Sequence, residues 1–213
     1  KKDGYLHQFF VKKEKKLYAI SDTIGCMSPA TRNFILQHNS ELDASKVEVN
    51  PNSIEPIIQF GSKSTKTEFL KKYSIPSDKK IFIYGGNLGI PQGLDFLLET
   101  IEHCKVSNAF FLIIGSGTEF DRIQNWFQTN LPKNAILLQG LPKTDYDQLL
   151  QFCDFGMLFL NKNFNIPNFP SRLLSYLEMQ LPVIAATDLA TDIGTIVEQH
   201  GCGYKVISGD SPG

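Results

Sequence analysis

Apolar residues recur along this chain at two spacings, and the switches between them outline its elements. From Ile81 onward, apolar runs of strand length appear at Ile81–Tyr84, Ala109–Ile114, Ala135–Leu138, Phe155–Leu160, Val183–Ala186 and Tyr204–Ile207. Between most of them the spacing turns helical. Leu94, Leu97, Leu98 and Ile101 share one helix face, as do Phe120, Ile123 and Phe127. Leu149 with Leu150, Leu173 with Leu174 and Leu177, and Ile193 with Ile196 and Val197 mark further helices. Apolar strands alternating with helices every ~20–30 residues predict an α/β fold whose parallel sheet is covered on both faces. Right-handed crossovers make this a Rossmann-like layer, which takes ligands at the carboxyl ends of its strands. The loops that matter are then 85–92, 115–119, 140–143, 161–172 and 187–192.

The pattern before Ile81 is weaker. Leu17–Ile20 reads as a strand, with Ser21 and Asp22 able to cap the next element. Pro29 suits the opening of a helix through Phe34, Ile35 and Leu36, and Val47–Glu48–Val49 alternates like a strand. Asn50-Pro51-Asn52-Ser53 breaks it. The mixture of Pro, Ser, Gly and Lys after that break, with a short helix about Thr67–Lys72, reads as a connection. The expected organisation is a remnant of a second α/β domain at 1–55, a linker at 56–79 and the sheet domain at 80–213.

Composition narrows the chemistry. A net charge of −1 gives no overall basic field to attract nucleic acid. The longest strongly apolar run, Ala109–Gly115, falls far short of the ~20 residues of a membrane helix. Cys26, Cys104, Cys153 and Cys202 are scattered without a CxxC pair, which fits reduced thiols in a cytoplasmic protein and predicts no metal site. His7, His38, His103 and His200 have no metal or triad spacing. Lys12, Lys13, Lys15 and Lys16 around Glu14 fit either a solvated helix face or the anionic inner surface of a membrane, a peripheral association. The chain opens on Lys1 and ends six residues after its last strand-like run, which reads as a piece cut from a longer protein.

The first strand of the rhythm carries the strongest chemical signal. Ile81–Tyr84 runs into Gly85, Gly86 and Gly89, where the backbone can turn sharply and approach a ligand, and Pro91 suits the first turn of the helix after it. A helix N-terminus after such a turn attracts phosphate. The same unit also serves as a plain βα turn with no ligand. A nicotinamide dinucleotide would require G-x-G-x-x-G here and an acid at the tip of the next strand; neither is present. Gly61-Ser62-Lys63-Ser64 lacks the upstream glycine of a P-loop and precedes the sheet.

Four ordered motifs carry a resemblance: Gly-Gly-Asn-Leu-Gly-x-x-Gln-Gly-Leu (85–94), Ile-Ile-Gly-Ser-Gly (113–117), Gln-Gly-Leu-Pro-Lys (139–143) and Pro-Ser-Arg-Leu-Leu-Ser-Tyr-Leu-Glu-Met-Gln-Leu-Pro-Val-Ile-Ala (170–185). Over Ile81 to about Ile207 the chain resembles the donor-binding half of retaining GT-B glycosyltransferases, family four, in the branch that builds O-antigen and capsule polysaccharides. Residues 24–29 and 47–55 resemble the closing part of that family's acceptor-side domain.

The resemblance implies two Rossmann-like domains, most of the first lying outside this chain. It implies a nucleotide-sugar donor, a UDP-sugar, with no metal or other cofactor required. It also implies a saccharide or lipid-linked acceptor and transfer with retention. The donor-binding residues it implies are Gly86, Asn87, Leu88 and Gln92 in the first loop, and Gly115 and Gly117 in the second. Leu141 and Pro142 lie against the base, and Pro170, Ser171, Arg172 and Ser175 hold phosphate and ribose. No catalytic residue is implied, and the isolated piece is expected to bind without turning over. Asn87 and Gln92 stand where the wider family has an Arg/Lys pair. Ser175 stands where it has a glutamate for the ribose hydroxyls, and the partner acid falls near Pro167; Glu178, one turn on, is not read as a substitute. These departures open a second reading, a non-catalytic nucleotide-sugar binding module of the same fold. A sugar-nucleotide epimerase, a third reading, lacks its expected acids and histidines.

Overall fold

The computed structural model describes residues 4–56 and 66–210, which divide into two compact units, Lys1–Asn52 and Ser53–Gly213. The Gly61–Ser64 stretch lies outside the described residues.

In the first unit, helix α1 (Tyr5–Ile20) precedes strand β1 (Ile24–Cys26), helix α2 (Pro29–His38) and strand β2 (Val47–Val49), with β1 and β2 paired in parallel. The predicted strand at Leu17–Ile20 is instead the last turn of α1. The Lys-rich run before it consists of good helix formers and carries the helix through. Ser21 therefore closes a helix rather than opening one, its N–H and its hydroxyl both donating to Leu17 O. Pro29 does open α2, and Ser28 caps it by accepting from Thr31 N. Lys12, Lys13, Lys15 and Lys16 lie on α1, none of whose residues is buried; Lys15 pairs with Glu41 at 2.6 Å.

The second unit holds helix α3 (Lys66–Lys72), then β3 (Lys80–Asn87), α4 (Leu94–His103), β4 (Ala109–Ser116), α5 (Phe120–Asn130), β5 (Ala135–Gln139) and α6 (Lys143–Leu150). It continues through β6 (Phe155–Phe159), α7 (Arg172–Glu178), β7 (Val183–Thr187), α8 (Ile193–Gln199) and β8 (Gly203–Ile207). All six strands lie in one parallel sheet in the order β5-β4-β3-β6-β7-β8. The chain thus builds outward from β3 in one direction, then returns to its other side, so the order reverses between β3 and β6. That is the doubly wound arrangement the alternation predicts.

Side chains alternate across the sheet with period two. Ile81 and Ile83 enter one core layer with Leu112, Leu158 and Val183; Phe82 and Tyr84 enter the other with Ile113, Leu97 and Phe159. Each face is sealed by helices, which is why the strands read as unbroken apolar runs. Residues 66–79 are not a bare connection. Leu70 and Ile75 are buried in the first layer, and Lys72 and Tyr73 both donate to Asp145 on α6, so this stretch packs as part of the unit.

At the reversal point β3 and β6 pair only over Phe82–Phe155 and Ile83–Gly156 before diverging. Tyr176 of α7 fills the fork. Its hydroxyl accepts from Gly85 N at 3.1 Å and lies 3.3 Å from Ile83 O and Met157 O, and its ring covers Gly156, where a Cβ would come within 2.4 Å. A ladder donor lost where the strands split is thus satisfied by a side chain. The same residue fixes α7 against the carboxyl ends of both strands.

Candidate functional site

A cleft of about 360 Å³ opens at those carboxyl ends. Its walls are Gly85 and Gly86 from β3, Ile114–Ser116 from β4, Gly140 and Leu141 after β5, Tyr146 of α6, and Ser171, Arg172 and Ser175 at the start of α7. Four of the five loops expected to matter therefore converge; the loop at 187–192 is not on the wall. The volume lies within the about 300–1,000 Å³ of small-molecule sites. A larger hollow, about 480 Å³, sits at the amino ends of β3, β4 and β5 between Lys79, Cys104, Trp126 and Lys133. Ligands of open parallel sheets gather at the opposite end.

Arg172 dominates the cleft's electrostatics. Its guanidinium lies 4.3 Å from the centroid of the Tyr84 ring, and Nη2 donates to Gln92 Oε1 at 2.8 Å. Nη1 is buried without a hydrogen-bond partner, and Arg172 is in none of the ion pairs among the described residues. The cleft therefore holds a positive charge that no carboxylate neutralises. Burial pushes the Tyr84 hydroxyl up, the Arg172 charge working against it, and burial pushes the Tyr146 hydroxyl up to about 12. Both stay protonated and neutral at physiological pH. Gly86, at φ +126°, lies under the guanidinium; a Cβ there would come within 3.6 Å of it.

The predicted first-loop residues distribute differently. Helix α4 begins at Leu94, three residues beyond Pro91, because Gln92 N closes a tight turn onto Gly89 O. Its first turn is not on the cleft wall; Gly93 abuts Leu160 O instead, where a Cβ would approach to 2.6 Å. The helix N-terminus expected to draw phosphate is thus not on the cleft wall, and the charged side chain on that wall is Arg172. Leu88 is fully buried, its N–H donating to Ser116 O and its carbonyl accepting from Glu119 N, so neither its side chain nor its amide is free for a ligand. Gln92 is likewise buried and stands beside Arg172 rather than on the wall. Asn87 carries its amide between Gly89 and Gly117, also off the wall.

Gly117, which is not on the wall, is needed bare by the same framework: at φ +155°, a Cβ would lie 2.4 Å from Leu88 O. Gly115 does line the cleft, but its Cβ would strike Gly86 O at 1.8 Å, so its bareness lets β3 and β4 close together. Leu141 is on the wall, whereas Pro142 and Pro170 are not; their carbonyls accept from Tyr146 N and Leu173 N. Ser171, Arg172 and Ser175 are all on the wall. Gly85, Ile114, Ser116 and Gly140 join them from the same motifs, and Tyr146 is the wall residue that lies outside every motif and loop singled out in the sequence. Its only trace was Gly85, over which its hydroxyl sits where a Cβ would be 2.0 Å away. The 161–168 stretch is tied at both ends, Asn161 N donating to Pro91 O and Asn168 N to Thr191 Oγ1. The histidines lie exposed, and among the described residues no three His, Cys, Asp or Glu side chains group as metal ligands. Cys153 is buried and its thiol pushed up by that burial, an inert core residue.

Residues 65–212 match the profile of a family described as Glycosyl transferases group 1. The chain belongs to that family. Among curated proteins it is similar to the probable glycosyltransferase WbjE of Pseudomonas aeruginosa, 24% identical over 127 residues, covering 60% of this chain and 32% of that protein. It is also similar to the putative colanic acid biosynthesis glycosyl transferase WcaI of Escherichia coli K12, 26% identical over 127 residues, covering 58% and 30%. The matched stretch thus spans under a third of either relative. Among solved structures it resembles WaaG, a glycosyltransferase involved in lipopolysaccharide biosynthesis, at TM-score 0.72 and 12% identity over 99% of this chain and 56% of that one. It resembles Anabaena HepE, solved in complex with UDP, at TM-score 0.73 and 17% identity over 91% and 52%. At these identities the likeness shows the fold: the parallel α/β sheet flanked by helices of the GT-B glycosyltransferases.

Proposed function

We propose that the cleft binds the diphosphate of a nucleotide-sugar donor, a UDP-sugar, and that this chain is the donor-binding part of a glycosyltransferase. The carrying observation is the unneutralised Arg172 guanidinium on the wall of a cleft at the sheet's reversal point. Breaking the sugar–phosphate bond leaves negative charge on the departing diphosphate, and a fixed cation beside it stabilises that charge as it develops. Arg172 supplies that cation, and its flat fork suits phosphate oxygens. Gly140 and Leu141 offer backbone edges for the base, and Ser175 offers one neutral hydroxyl for the ribose. The family, the names of WbjE and WcaI, and the UDP bound by HepE support this reading.

For the whole protein we propose transfer of a hexosyl or N-acetylhexosaminyl unit, with retention, to a saccharide or lipid-linked acceptor of surface polysaccharide. The wall residues carry no proposed catalytic base, and acceptor-side groups are assigned to the first domain. Residues 80–213 are the proposed donor domain and residues 1–55 the proposed remnant of the acceptor side.

Calorimetric titration with UDP, with GDP as control, tests the site. Gly140→Leu is the sharpest variant, because Gly140 lines the cleft and a Cβ there meets nothing within 4 Å, so the larger side chain is expected to crowd the cleft at little cost to the fold. UDP binding is expected in the wild type and absent in Gly140→Leu at unchanged melting temperature; unchanged binding in that variant removes the site assignment. One observation favours the second reading, a non-catalytic module: the neutral Ser175 on the wall. Ser175→Glu separates the two. A large gain in UDP affinity marks a degenerate site, whereas a loss marks a site built around serine.

A further inference from the structure

We infer that Gln92 is a positioning residue for Arg172: its amide oxygen holds the guanidinium over the Tyr84 ring while leaving its charge available to an anion in the cleft. The inference rests on the reading of the cleft as a diphosphate site.

Gln92 is only 8% exposed and is not among the residues that line the cleft; its side chain is packed beside Arg172. Its Oε1 accepts from Arg172 Nη2 at 2.8 Å and lies 3.2 Å from Tyr84 Oη, whose single hydrogen is shared between Gln92 Oε1 and Asn87 O. Tyr84 Oη is itself tied to Asn87 O at 2.9 Å, so the ring that carries the guanidinium is fixed from strand β3. Arg172 is thus held from two sides, by the Tyr84 face and by a neutral acceptor in the turn before α4.

The neutrality of that acceptor is what matters. A glutamate in the same place would form a charge-assisted ion pair with Arg172, and an incoming phosphate would have to compete with it. A hydrocarbon side chain would leave Nη2 as unpartnered as Nη1 already is. Glutamine fixes the direction of the cation without neutralising it. The Gly-x-x-Gln-Gly spacing from Gly89 to Gly93 then acquires a meaning of its own: the tight turn carries Gln92 inward, beneath the residue that meets the ligand.

Two measurements on the full chain test this. The first is side-chain ¹⁵N NMR of Arg172 in the ligand-free protein, assigned with Arg172→Lys. Wild type is expected to show slow guanidinium rotation with resolved Nη resonances, and Gln92→Met, similar in size but without the acceptor, is expected to average them. The second is UDP titration of Gln92→Met, Gln92→Glu, Arg172→Ala and the Gln92→Met/Arg172→Ala pair. Loss of the acceptor, or its conversion to an anion, is expected to weaken UDP about tenfold, the loss of one hydrogen bond to a charged group. Adding Gln92→Met to Arg172→Ala is expected to cost nothing more. Unchanged guanidinium resonances in Gln92→Met, or an equal loss of affinity with and without Arg172, would overturn the inference. If wild type binds no UDP, the functional reading falls alone and the resonances still decide the role of Gln92. Should Gln92→Met fail to fold, Gln92→Glu, which keeps an acceptor oxygen, carries both measurements: a guanidinium held as in wild type with weakened UDP supports the inference, and unweakened UDP overturns it.

Discussion

Single residues at the cleft divide into those that hold it open and those that face into it, and the division is visible in what each would cost to change. Tyr176 is of the first kind. Tyr176→Phe keeps the ring over Gly156 but strands the buried Gly85 N–H, so a stability loss of about 1–3 kcal/mol is expected in denaturant unfolding. Gly115 is of the same kind: Gly115→Ala drives a Cβ into Gly86 O and is expected to destabilise more than Tyr176→Phe, whatever it does to binding. Arg172 is of the second kind. Arg172→Ala is expected to leave the melting temperature within a few degrees while weakening UDP about 10- to 100-fold, measured by calorimetry. Of this division the sequence shows only part. Arg172, Ser171 and Ser175 are legible from their loop and motif. The inward turn of Leu88 and Gln92 is not, because a turn's local residues do not say which of them the second strand will cover.

At the scale of elements, the site is set by how helices meet strand ends. Helix α6 brings Tyr146 over Gly85, and α7 brings Arg172 onto the Tyr84 ring and Tyr176 against Gly85 N. The hydroxyls of Tyr84, Tyr146 and Tyr176 are all pushed up by burial, that of Tyr146 to about 12. A raised hydroxyl stabilises the fold below the unfolded value near 10 and withdraws that stability as pH climbs toward the folded value. Urea unfolding at pH 9, 10 and 11 is therefore expected to show falling stability, by up to about 1.4 kcal/mol per pH unit for each such tyrosine. Tyr146→Phe is expected to flatten the slope by one proton's share. The tie between α3 and α6 acts at the other end of the scale. Lys72 and then Tyr73 hold Asp145 below the usual carboxylate range, so its contribution is present above that range and lost as pH falls through the lowered value. Asp145→Asn is expected to blunt the acid side of the stability profile. Helix α3 itself was legible as a short helix, but its membership in the core was not. Leu70 and Ile75 are too few apolar positions to announce a buried face.

For the whole molecule, the compact unit from Ser53 onward contains the six-stranded sheet, both core layers and the residues that line the cleft. A chain begun at Ser53 is expected to unfold in a single transition and to bind UDP within about twofold of the 213-residue chain. A large loss of affinity would place part of the site before Ser53. What the sequence determined by itself is the sheet: six strands and their alternation with helices come from apolar runs of strand length and period-3.6 hydrophobicity, which are local properties of the chain, and that alternation implies a parallel sheet of the kind that takes ligands at its carboxyl ends. Only the tertiary structure decided which residues of the glycine-rich loop face the cleft. The loop's amides could have met a phosphate or the neighbouring strand with equal local ease. Strand β4 took Leu88, and the close approach of Gly115 and Gly117 made that possible. The positive charge of the site was left to Arg172, far along the chain from that loop, which reaches it only because Tyr176 anchors its helix in the fork between β3 and β6.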